Sequence, residues 1–429
     1  MNKFIKIIGA VAVINIVARL FGFLREVVIG RQYGTSIAAD AIATAYTIPN
    51  FIYLVVGGGL TTAFISVYHS TSSEKGLYVR KIFTTVLLAA SIITVLSVIF
   101  AGPLLKLTFP GLKPDQFAMT YELFLWMMPS TVILVLSTWM SGLLNVNDRF
   151  HLSSLAILVY NAAFVVIGVL LTPWYGPASY GIGALLSAIF MGVFLYGGIK
   201  RGTTFSLKPS FGKSDDVKRV WSIALPILLG GASMQFYAII HRIAAAGLSE
   251  GAISAVNYAS KLSNFPQAIM MTAVTTVIYP LLSKKEGEGD NETIKKLYKK
   301  GMLYLVALIG PATAVAYFFA DPIIRLIFGF GSSKFGEESI QLTVPIFQVF
   351  ALSMFFLAAT TYVTRFYYAK GNSVLPVIFS LISVLGINIA IIYLFVDSMG
   401  ATAIAYGTFI SSAFNLLMLV IYARVKWKL

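Results

Sequence analysis

Long apolar runs, cut by short polar breaks, set the pattern of this chain. Runs of roughly 17–30 apolar residues recur, each long enough to cross about 30 Å of hydrocarbon as a helix. About twelve membrane-spanning helices are predicted, at 4–29, 38–67, 82–105, 119–144, 155–171 and 182–199, then 220–246, 252–282, 303–319, 340–368, 374–394 and 401–423. The longest polar connections are 200–219 and 283–300. The first of them divides the spans into two groups of six, giving a lobe at 1–201, a basic linker at 202–219 and a lobe at 220–429.

An internal repeat supports that division. Asn50-Phe51 is followed ten residues after the Phe by Thr61-Thr62, and Asn264-Phe265 is followed at the same distance by Thr275-Thr276. A proline flanks each Asn-Phe pair, Pro49 before one and Pro266 after the other. Spans two and eight are therefore expected to be equivalent. Six is even, so a pseudo-two-fold along the membrane normal should relate the halves. The prolines free backbone carbonyls inside a span, which is tolerated where a neighbour or a cavity satisfies them. The predicted fold class is an all-α membrane protein with two pseudo-symmetric six-helix lobes.

Composition agrees with the pattern. The chain is 58% hydrophobic and 11% charged, against about 25% charged in soluble domains. Its net charge of +15 could point to nucleic acid, but the basic residues lie in short loops at helix ends. There they serve as topology signals and contacts to anionic membrane lipids. Sorted by alternate loops, about 23 basic residues fall on one side and about 5 on the other, so both termini are expected in the cytoplasm. Lys3 and Lys6 before an apolar run resemble a signal peptide. The only small-x-small site, Ala10 and Ala12, comes too early for cleavage, so the segment is kept as a helix.

With no cysteine and only His69, His151 and His241, the chain has no thiolate chemistry, no disulfides and no cluster with metal-ligand spacing. No cofactor is expected. Phosphate-binding Gly-rich loops and nucleophile elbows are also missing, which argues against an enzyme.

What remains is charge inside the spans. A charged side chain near the bilayer centre costs about 2.5–3.5 kcal/mol on insertion scales, so such residues usually face a polar path. At 1.5 Å per residue, Arg19 lies about 22 Å along the first span and Arg25 about 30 Å. Glu26 and Asp40 lie close to the same surface, His241 and Arg242 toward one end of span seven, and Lys261 inside span eight. The surplus is positive, and arginine forks match phosphate oxygens while lysine acts as a point charge. Phosphate or pyrophosphate is the simplest counter-ion. Blander readings stand beside this one. Arg25, Glu26 and Arg242 could snorkel at the interface, and Asp40 could be only a structural partner for Arg25. Gly57, Gly58 and Gly59 fit close helix packing as well as a hinge. His241 is either a hydrogen-bonded structural histidine or a proton-sensing group coupled to transport.

The residues Arg-x-x-Gly-Phe-x-Arg at 19–25, Ala-Asp-Ala at 39–41 and Pro-Asn at 49–50 resemble the start of the MurJ/MviN family of lipid II flippases. Residues 250–262 are similar to that family's entry to helix eight, and 366–369 to its exit from helix ten. The resemblance implies membership of the MOP exporter superfamily, a V-shaped two-lobed transporter, and alternating access. It implies flipping of a polyprenyl-pyrophosphate-linked glycan precursor across the bacterial cytoplasmic membrane. The family's cavity arginines carry over to Arg19 and Arg25, its gate aspartate to Asp40 and its helix-eight arginine position to Lys261; with the residues read above, the expected substrate contacts are Arg19, Arg25, Asn50, Arg242 and Lys261. Gating or coupling falls to Asp40, Glu26, His241 and the three glycines.

The chain departs from the family pattern in several places. Tyr53 stands where an arginine is usual, no acidic residue precedes the glycines, and Ser260-Lys261 replaces Asp-Arg. His241 stands for an aspartate, and twelve spans match where the family has fourteen. Alternatives kept open are a flippase for another lipid-linked polysaccharide, a MATE-type cation antiporter, a membrane-embedded enzyme on polyprenyl phosphates, and a non-transporting partner of cell-wall synthases.

Overall fold

The structure, a computed structural model, describes residues 3–71, 74–212, 214–273, 278–331 and 333–428; the side chains of 3–8, 229–234, 270, 272 and 273 are outside the description. Thr275-Thr276 of the repeat, the Lys3 and Lys6 side chains and Lys213 therefore lie outside the described residues. The described chain is helical, with no strand. Among the described residues eight helices are long and apolar enough to cross a membrane, and the pair Pro114–Met127 and Ser130–Asn145, bent by 44°, brings the number to nine if it is counted as one span. The expected spans 4–29 and 220–246 fall within the helices Lys3–Tyr33 and Asp215–Ala246, and of the span 252–282 the helix Ala252–Ala273 covers the first part, 274–277 lying outside the described residues.

Several expectations are corrected in detail. The third span ends at Ile99, and a separate short helix, Ala101–Thr108, follows. The stretch 283–300, expected as a loop, is largely helix: Tyr279–Gly287 continues into it and Asn291–Phe318 begins within it. The second span is broken. Proline has no N–H to donate and its ring crowds the carbonyl four residues back, so the helix Ile37–Ala45 stops at Tyr46, just upstream of Pro49. Helix resumes at Thr47–Ile52, widens to a π turn at Tyr53–Gly57 and returns to α at Gly58–Tyr68.

By packing, the chain forms two compact units. One comprises residues 1–25 and 40–235, the other 26–39 and 236–429. The Lys3–Tyr33 and Asp215–Ala246 helices each contribute residues to both.

In the first unit, the Phe150–Tyr175 and Ala178–Gly202 helices approach closely because Gly168 and Gly183 carry no side chain there. A Cβ on Gly168 would lie 2.8 Å from the Tyr180 ring. Phe64 stacks on Tyr78 at 5.4 Å and meets Trp139 edge-on, and the Tyr78 hydroxyl donates to the Phe64 carbonyl. Of the three glycines, Gly57 lies against Thr138 and Gly59 against Leu228, while Gly58 faces open space.

In the second unit, Glu337–Ala369 is the central helix. Of its apolar window 56% is buried, against 17% for Asn291–Phe318 at the periphery. It packs on Thr402–Trp427, Ala252–Ala273 and Asn291–Phe318. Residues 26–39 are bound into this unit by several contacts. Gly30 lies under the Phe328 ring, the Tyr258 hydroxyl donates to the Gly34 carbonyl, and Thr35 pairs with Ser339. Lys334 N donates to the Arg31 carbonyl, and Ile37 N to the Glu250 carboxylate.

Candidate functional site

The first unit holds Arg25 by aromatic faces. The side chain is buried, with its guanidinium 4.9 Å from the ring centres of both Tyr46 and Phe164. Tyr46 sits at the break between Ile37–Ala45 and Thr47–Ile52. Its hydroxyl meets that of Tyr160 at 3.0 Å. One helical turn before Arg25, Gly22 leaves room for Asn161, whose amide donates to the Ala18 carbonyl. Cation–π contact of this kind is worth about 2 kcal/mol or more once desolvated. Asp40, 1% exposed, accepts a hydrogen bond from the Gln116 amide at 3.1 Å. Asn50 is half-buried. Arg19 is exposed although it lies within an apolar helix of 31 residues.

The second unit handles charge differently. The buried Glu26 carboxylate accepts from Asn257 Nδ2 at 2.7 Å, and Asn257 Oδ1 accepts from Arg242 Nη2 at 3.0 Å. Two of the sequence-predicted charges are thus joined through an amide on a third helix. The Ala252–Ala273 helix can carry Asn257 there because 251–259 is buried throughout, Gly251 adopting φ +83 where its backbone meets Thr35. Lys261, one turn further, is exposed. His241 is buried, its Nε2 2.8 Å from the Thr408 hydroxyl and its ring against Tyr237 and Phe350. That is the setting of a packed, hydrogen-bonded histidine.

Sequence reasoning did not single out Tyr46, Phe164, Gln116, Asn257 or Thr408. Asn257 carried a signal: it is the one amide inside the block 250–262, and a polar residue in a buried run needs a partner. Among the described residues no group of three His, Asp or Glu side chains could hold a metal ion. Outside the spans, Glu288 is held below the usual carboxylate range, chiefly by a hydrogen bond from Lys285 at 2.8 Å.

The family model "Lipid II flippase MurJ" matches residues 29–429. The chain belongs to this family. Among curated relatives, "Probable lipid II flippase MurJ" of Rhizobium meliloti (strain 1021) is 28% identical over 451 residues, covering 100% of this chain and 81% of that protein. "Lipid II flippase MurJ" of Burkholderia cenocepacia is 25% identical, covering 99% and 84%. Among solved structures, "Lipid II flippase MurJ, inward closed conformation" matches with TM-score 0.84 at 23% identity, covering 96% of this chain and 87% of that one. An inward-facing MATE multidrug transporter of the MOP superfamily matches with TM-score 0.80 at 15% identity, covering 97% and 98%. At such identities the structural matches establish the fold, which the MurJ family shares with the MOP exporters. The chain is accordingly a multi-pass membrane protein of a transporter family.

Proposed function

We propose that this protein flips a polyprenyl-pyrophosphate-linked glycan precursor, lipid II or a close analogue, from the inner to the outer leaflet by alternating access. Both termini lie in the cytoplasm in this reading, and the two six-helix halves act as the moving parts. The observation that carries it is Arg19. A guanidinium within an apolar helix, left exposed rather than packed away, is costly against lipid and stable against a water-filled, anion-binding path. Arg25, Asn50, Arg242 and Lys261 are the further substrate contacts in this reading. Pyrophosphate supplies the negative charge that this set balances. Asp40, Glu26 and the glycines act in gating. His241 is the group that a proton-coupled cycle would use.

The MATE likeness favours a second reading, a small-cation antiporter. Cationic side chains along the path would repel such a substrate, which ranks it lower.

The test is Arg19→Ala at native expression in a strain depleted of its own flippase. Leaflet labelling of lipid-linked precursors is read together with the amount of protein in the membrane. Transport should be lost with the protein still present. Normal complementation by Arg19→Ala overturns this site, and a wild type that exports cations without moving precursors favours the antiporter.

A further inference from the structure

A cleft of about 270 Å³ opens in the first unit where the Lys75–Ile99 span begins. One wall belongs to that span, with Lys81 and Thr85 at the polar end and Leu88 one turn further into the apolar stretch. The opposite wall is the non-helical connection before Asp215–Ala246, with Ser210, Phe211 and Ser214, closed by Lys218. The connection is fastened to the span by Ser210 N donating to Thr84 Oγ1 at 2.7 Å and Arg80 Nε to the Lys208 carbonyl at 3.2 Å.

The cleft is graded. Along the helical wall it passes from Lys81 through Thr85 to Leu88, and the facing wall adds Lys218 and two serines to the polar lining. Leu88, 46% exposed, and Phe211, 74% exposed, stand as apolar surface beside it. Both ammonium groups already have interactions within the protein, Lys218 with Asp215 at 3.4 Å where both side chains are largely in solvent, but an ammonium has three donors to share. A free anion would use only the polar end. An amphiphile with an anionic head and a hydrocarbon tail uses both. We propose that the cleft binds one anionic phospholipid of the surrounding leaflet, its phosphate between Lys81 and Lys218 and an acyl chain along Leu88 and Phe211. The bound lipid holds the connection against the Lys75–Ile99 helix. This lipid is a resident of the protein and not its cargo. The connection leads straight into Asp215–Ala246, a helix that contributes to both units, so occupancy tunes how firmly that helix is anchored.

The purified full chain is titrated with phosphatidylglycerol, phosphatidylcholine, glycerol phosphate and inorganic phosphate, read by native mass spectrometry and thermal shift. One phosphatidylglycerol should be retained where phosphatidylcholine is not. Lys81→Gln with Lys218→Gln should weaken that retention roughly thirtyfold, the effect of two basic residues near an anionic headgroup. Lys295→Gln with Lys296→Gln removes the same charge elsewhere and should leave it unchanged. Phe211→Ser, which alters a side chain mostly in solvent, should weaken phosphatidylglycerol but not glycerol phosphate. Equal loss in the Lys295/Lys296 control, retention by the Lys81/Lys218 variant, or inorganic phosphate binding as tightly as phosphatidylglycerol each overturns the proposal. The last of these marks a site for free anions.

Discussion

The two units solve one problem in two ways. In the first, Arg25 rests on the faces of Tyr46 and Phe164. In the second, Arg242 reaches the Glu26 carboxylate through the amide of Asn257. A ring face attracts a cation over a broad area and tolerates sliding. An amide relay has one working orientation, with oxygen toward the guanidinium and nitrogen toward the carboxylate, because the reverse sets donor against donor and acceptor against acceptor. The ring contacts by themselves prescribe no single orientation of the guanidinium. The amide fixes one. In the proposed cycle each arginine meets the travelling anion, Arg25 from an aromatic seat and Arg242 from an amide that orients it.

The largest expected effect tests the aromatic seat. Arg25→Ala should cut flipping at least about thirtyfold, the equivalent of a desolvated cation–π contact near 2 kcal/mol. Arg25→Lys should recover part of it, since an ammonium still finds the rings but lacks the planar fork. Leaflet labelling at matched membrane abundance measures both. Wild-type flipping in Arg25→Ala would reduce the aromatic seat to packing.

Next comes the relay. Asn257→Leu leaves a buried carboxylate and a guanidinium each short of a hydrogen-bond partner, at a cost of about 3 kcal/mol. Thermal unfolding should show it as a lowered midpoint. Asn257→Asp alone should also destabilise, because it sets a second carboxylate beside Glu26. Glu26→Gln should then rescue it by reversing the relay, with the new amide donating to Asp and Asp accepting from Arg242. Simple additivity of the two changes would mean that no relay operates.

The spans were legible because apolar length is local information. The expected span at 374–394 appears as Val374–Met399, and the one at 401–423 as Thr402–Trp427. Family membership was legible too, in residues 19–25 and 39–50. The internal breaks were not. Pro49 announced a disturbance, but not that the helix would stop at Tyr46 and widen at Tyr53–Gly57. Nor were the partners of the charges legible, because they come from far along the chain. Asn257 lies 231 residues from Glu26, and Gln116 lies 76 from Asp40. Periodicity names the face a residue occupies, not the side chain that meets it there.

The smallest expected effect comes from a carboxylate outside the spans, where neither device operates. Asp290 caps the Asn291–Phe318 helix, its Oδ1 accepting from Thr293 N at 3.0 Å, with Lys285 3.2 Å from its other oxygen. Hydrogen bonds from the Thr293 side chain and backbone, then from Lys285, hold Asp290 below the usual carboxylate range. Its folded pKa is therefore lower than its unfolded one, ordinarily about 3.9. The stabilisation is present above the unfolded value and disappears as pH falls through the folded value. In water the effect stays local: the first turn should fray below about pH 4 while the midpoint of global unfolding barely moves. Hydrogen exchange at Thr293 and Ile294, corrected for intrinsic rates, should show protection at neutral pH that is lost in acid. Asp290→Asn keeps an acceptor at the cap without a charge to titrate, so its protection should be independent of pH. The same acid loss in the Asn variant would mean that the turn is governed by something other than its cap. A shift in global unfolding as large as that of Asn257→Leu would erase the contrast between charge held inside the spans and charge left in water.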